Sequence, residues 1–135
     1  MMGDVVSDMP AVLVFTRDGD VMVFESPEQA AEWMEAVDVD AGEYPAVFAV
    51  DGRTATASTR QDLREGVLVT VNQEHDEAGL RERLERAVAL FGLSSPASDP
   101  VAVANELLLR MWERRWPRRP RWLASRLHGD VPPRV

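Results

Sequence analysis

Residues 11–26 read AVLVFTRDGDVMVFES, and the way this stretch turns decides the fold. Two apolar runs, rich in β-branched and aromatic residues, flank Asp18-Gly19. Asp-Gly accepts the positive φ of a tight reversal because glycine has no Cβ to clash, so the spacing predicts a β-hairpin. Residues 44–58, YPAVFAVDGRTATAS, repeat the arrangement around Asp51-Gly52 and predict a second hairpin. Gly66 to Val71, GVLVTV, reads as a fifth strand.

Between the hairpins, SPEQAAEWMEAV (26–37) opens with Ser26 as N-cap, Pro27 at the first helical position and Gln29 three residues after the cap. Ala30, Trp33, Met34 and Val37 recur at helical spacing, predicting one helix with Trp33 in its core-facing stripe. In DEAGLRERLERAVALFGL (76–93), Leu80, Leu84, Ala87, Val88 and Phe91 share a face, Asp76 can cap and Gly92 can stop the helix. Asp99-Pro100 starts a further helix that runs to a break at Pro117. The expected order is ββαβββαα. Tight turns between strands imply an antiparallel sheet of about five strands, an α+β fold with helices packed on one face. We divide the chain into a flexible N-terminus (1–10), one domain (11–116) and an Arg/Trp-rich tail (117–135).

A chain of 135 residues can bury a sizeable core without staples. It has no cysteine, which excludes thiol catalysis, disulfides and cysteine-based zinc sites. The opening MMGDVVSDMP carries acids where a secretory signal needs bases, and no apolar run is long enough to span a bilayer, so a cytoplasmic location without a membrane span is expected. The net charge of −8 is divided. Residues 1–109 hold 21 acids and 7 arginines, whereas residues 110–135 hold 8 arginines and 2 acids. The acidic body attracts basic partners, and the tail attracts anions.

The stretch from Gly19 to Arg53, above all WMEAVDVDAGEYPAVFAVDGR (33–53), resembles a group of small acidic bacterial α+β proteins. In these a helix ends in an Asp-Val-x-x-Gly-Glu-Tyr turn that leads into a strand and a hairpin. The resemblance covers about a quarter of the chain and implies a shared fold and an accessory role, in some cases immunity-protein-like. It implies no catalytic residue.

Asp38, Asp40 and Glu43 fall within DVDAGEY, where a D-x-D-x-G spacing can present carboxylates to calcium. The position that an EF-hand gives to a bidentate glutamate is Ala49, so we read a polar connection with Gly42 in an unusual conformation, and no metal site. Glu74, Asp76 and Glu77 surround His75 just before a helix, where carboxylates complement the helix dipole. Acid/base chemistry there needs partners from another segment, and the only other histidine is His128 in the tail. With no nucleophile elbow, Walker loop or dinucleotide fingerprint, no catalytic residue and no cofactor are expected.

The tail segment MWERRWPRRPRWLASRL (111–127) packs six arginines and three of the four tryptophans. Trp112 and Trp116 lie one turn apart, and we expect Trp112 to be buried at the end of the last helix. Trp116, Arg118, Arg119, Arg121 and Trp122 have the chemistry to meet phosphates and unpaired bases or an anionic surface, although the acidic body opposes nucleic acid. We expect the tail instead to fold back on the acidic surface of its own chain or of a second copy, the latter giving a homo-oligomer. The composition therefore points to a non-enzymatic interaction module whose partner is a basic protein, met by the acids at Asp38, Asp40, Glu43, Glu74, Asp76 and Glu77. The alternative is anion binding through the tail.

Overall fold

Both Asp-Gly steps reverse the chain, with the positive φ confined to the glycines. The computed structural model describes residues 10–59, 66–115 and 135. Strands β1 (Val12–Phe15) and β2 (Val21–Phe24) pair antiparallel, Phe15 opposite Val21. Gly19 has φ +91° and donates its N–H to the Thr16 carbonyl at 3.1 Å, while Asp18 keeps an ordinary negative φ. Strands β3 (Ala46–Ala49) and β4 (Arg53–Thr59) turn through Gly52 at φ +99°. Strand β5 (Val67–His75) extends four residues past the expected end and so takes Glu74 and His75 into the sheet. The sheet is antiparallel throughout, in the order β2-β1-β3-β4-β5.

The helices do not all pack on one face, which corrects the expectation from sequence. Leu13, Phe15, Val21, Val23 and Phe48 face helices α3 (Glu77–Phe91) and α4 (Pro100–Arg115), meeting Leu80, Leu84, Val103 and Leu107. Val12, Val14, Val47, Val67 and Val69 face the other way, onto Ala30 and Met34. The cause is legible in β1: all four residues of Val-Leu-Val-Phe are buried, and a strand apolar in both phases needs cover on both faces. By contrast β4, Arg-Thr-Ala-Thr-Ala-Ser-Thr, presents Ala55 and Ala57 to one cluster and Thr56 and Ser58 to solvent.

The single helix expected over 26–37 is two. Helix α1 (Pro27–Trp33) begins as its caps predict: the Gln29 N–H donates to Ser26 Oγ at 3.2 Å, and the Gln29 side chain reaches back to accept the Glu25 N–H at 3.0 Å. Met34 and Glu35 are then extended, and a short α2 (Ala36–Asp40) follows. The two extended residues shift the buried phase, so Met34, Ala36 and Val39 pack on the core and Val37 is left 66% exposed. Trp33, expected in the core, is 43% exposed. The larger helices keep their expected signals. The Gly79 N–H donates to Asp76 Oδ1 at 3.0 Å and the Ala102 N–H to Asp99 Oδ1 at 3.1 Å; Gly92 closes α3 in the left-handed region.

Candidate functional site

The sequence that builds the α1–α2 layer and its flanks is strongly acidic. From Asp18 to Gly52 the chain has ten carboxylates and no basic residue, and seven of them lie between Glu25 and Glu43. Glu28, Glu32, Glu35 and Asp40 are exposed and Asp38 and Glu43 half-buried, while Ala30 and Met34 turn to the sheet.

Among these acids lies an aromatic row. The Trp33 ring centroid is 5.4 Å from that of Phe24 on β2 and 5.6 Å from that of Tyr44, both tilted. Tyr44 follows the α2 turn, and its hydroxyl donates to Asp38 Oδ2 at 3.4 Å. Burial first, then the negative charge of Asp38, push the Tyr44 phenol above its ordinary value, so it stays a neutral donor. The turn itself is tied to the first hairpin. Arg17 Nη2 donates to the Ala41 carbonyl and lies 3.4 Å from Glu43 Oε1, and Gly42 has the positive φ, +75°, expected of it.

The six acids singled out from sequence form two separate groups. Asp40 Oδ1 accepts from Thr59 Oγ1 at 3.4 Å, at the far end of β4, while the Asp76 N–H donates to the Gly52 carbonyl at 3.0 Å, beside its start. Six residues of strand separate these points, about 20 Å. Asp38 and Asp40 are engaged by different partners, Tyr44 and Thr59. Asp76 is committed to capping α3, and the flanking Glu77 packs its Cγ against Gly52. Among the described residues no three His, Asp or Glu side chains group as a metal site, and no helix is long and apolar enough to cross a membrane.

Trp116, Arg118, Arg119, Arg121 and Trp122 lie outside the described residues, as does the proposed docking of the segment that carries them. Helix α4 is described to Arg115, where Trp112 is half-buried with its indole nitrogen shielded. Val135 packs against the α3–α4 core, its N–H donating to Asn105 Oδ1 at 2.7 Å.

Sequence reasoning missed the cleft that opens on the opposite side of the sheet from α1. It has a volume of about 710 Å³ and lies between the Thr16–Asp20 turn and α3, with Phe15, Val21 and Leu90 among its walls. Its signal was present in the spacing of Arg83, Arg86 and Leu90 on one helical face, which reads in sequence as an ordinary solvated stripe. Compared with known protein families, with curated proteins and with solved structures, the chain matches none.

Proposed function

We propose that this chain is a non-enzymatic binding module, immunity-like in role, whose acidic α1–α2 layer docks a basic protein partner. The observation that carries the reading is the coincidence of ten carboxylates without a base between Arg17 and Arg53 and a tryptophan 43% exposed among them. A one-signed surface steers an oppositely charged partner and rejects like-charged ones. An exposed tryptophan backed by Phe24 and Tyr44 is a rigid aromatic anchor, and its face attracts a guanidinium or ammonium group. The acids at Asp38, Asp40 and Glu43 belong to this surface, whereas Glu74, Asp76 and Glu77 form a second acidic corner around the start of α3.

The test asks whether a neighbouring gene encodes a basic protein and titrates that protein calorimetrically against the full chain. Affinity is expected to fall as salt rises from about 50 to about 300 mM, because screening shortens the reach of the field. It is also expected to fall in the triple variant Glu28→Gln, Glu32→Gln, Glu35→Gln and in Trp33→Ala. Binding indifferent to salt and to both variants sinks the reading.

A further inference from the structure

The cleft beneath α3 combines an apolar floor with a cationic wall, in a protein of net charge −8. Phe15, Val21 and Leu90 supply the apolar surface; Arg17, Arg83 and Arg86 supply the charge. Arg83 is the decisive group. Its guanidinium lies over the Phe48 ring at 5.6 Å and gives one bond, from Nη1 to the Gly79 carbonyl at 3.2 Å. Among the described residues it has no ion pair, so a half-buried cation with donors to spare faces the cleft wall.

The other two arginines are paired at the exposed surface, and Arg17 also donates to the Ala41 carbonyl. Arg17 pairs with Glu43 at 3.4 Å and Arg86 with Glu82 at 2.7 Å. Both pairs are exposed and screened by solvent, so an anion in the cleft can share or replace either partner. Asp20 is the one acid on the wall, against three cations.

The two ends of the cleft differ. Arg83 stands over β3, whereas Leu90 Cδ2 lies against the turn at Gly19. Seven residues of helix separate them, about 10 Å. A head group at one end and an apolar chain at the other fit that polarity. The volume is that of a small-molecule site, and the length is too short to seat an extended peptide strand. The Arg/Trp tail is a poor occupant, since its own arginines would face three more.

We propose that this cleft binds a small single-chain amphiphile with a carboxylate head, of the medium-chain fatty-acid class, its carboxylate on Arg83 and its chain over Phe15, Val21 and Leu90. The site opens on the α3 side of the sheet and touches the acidic layer only through the Arg17–Glu43 pair, so it does not depend on the partner reading.

Sodium octanoate titrated into the full ¹⁵N-labelled chain tests it, with 1-octanol as the neutral counterpart. Saturable amide shifts are expected at Phe15–Val21 and Arg83–Leu90, with octanoate binding about tenfold more tightly than octanol, the size of a charge-assisted bond. Arg83→Gln is expected to weaken octanoate about tenfold and leave octanol unchanged. Arg86→Gln, a change at an exposed side chain that does not threaten folding, is expected to weaken it severalfold. The proposal is overturned if no saturable shift occurs at these amides, if octanol binds as well as octanoate, or if both variants bind as the parent does. It is equally overturned if an acidic peptide occupies the cleft and octanoate does not.

Discussion

Glu106 and Arg110 stand one turn apart on α4, with Oε2 and Nη2 3.4 Å apart, and together they close the loop between the two long helices. The Glu106 carboxylate accepts the Ser94 N–H at 2.8 Å, the Ser95 N–H at 2.9 Å and the Ser95 hydroxyl at 2.8 Å. Arg110 donates to the Phe91 and Gly92 carbonyls at 2.7 and 3.0 Å, satisfying the end of α3. Glu106→Ala removes the acceptor and frees the loop. We expect a loss of about 2 kcal/mol, from several hydrogen bonds to one charged group, read as a lower urea midpoint with an unchanged slope.

The same carboxylate sets an acid limit on stability. Burial alone would raise Glu106, but the Ser94 and Ser95 hydrogen bonds, with Arg110 nearby, outweigh it and hold the group below its ordinary range. Asp51 behaves likewise: burial would raise it, and its bonds from Arg53 lower it. A depressed carboxylate stabilises the fold above its unfolded-state pKa, about 4, and the gain is lost as pH falls through the folded-state value. Thermal melts of the parent should therefore weaken steadily below about pH 4. Glu106→Gln should show a shallower dependence over that window. Equal slopes for both proteins would remove Glu106 from the account.

Gly52 is fixed by two constraints at once. Its φ is +99°, and a Cβ built there would lie 2.9 Å from Glu77 Cγ. Gly92 also has a positive φ, +62°, but nothing within 4 Å of its would-be Cβ. Gly92→Ala should thus cost about 1–2 kcal/mol, the left-handed penalty alone. Gly52→Ala should cost more, because the Glu77 side chain must also move aside. Denaturant unfolding of the two variants compares them directly; a smaller loss at Gly52 contradicts the close approach.

The exposure of Trp33 separates a surface aromatic from a core one. Leu84 is fully buried, and its change to alanine should cost about 2–5 kcal/mol. Trp33→Ala should cost about 1 kcal/mol, the loss of its contacts with Phe24 and Tyr44. Val37→Lys should be neutral within about 0.5 kcal/mol, as for an ordinary surface site. A Trp33 variant that unfolds as readily as the Leu84 variant would return this ring to the core.

Local chemistry along the chain determined a good part of this protein. Asp18-Gly19 and Asp51-Gly52 turn the strands, Ser26, Asp76 and Asp99 start helices, and Gly92 stops one, because each signal acts on backbone groups within a few residues. Periodicity placed Leu80, Leu84 and Ala87 on a buried face for the same reason. The buried run Val12–Phe15 also carried the two-sided cover of the sheet, although a short apolar strand is compatible with several packings until its neighbours are known. Only the tertiary structure decided which helix covers which face, and that α1 breaks at Met34 so that Trp33 stays outside. It alone separated Asp40 from Asp76 by the length of β4 and brought Arg17 to the same cleft as Arg83. Those placements depend on contacts between residues tens of positions apart, whose free energies are settled by how both apolar faces of the sheet are buried together and not by any one segment's own preference.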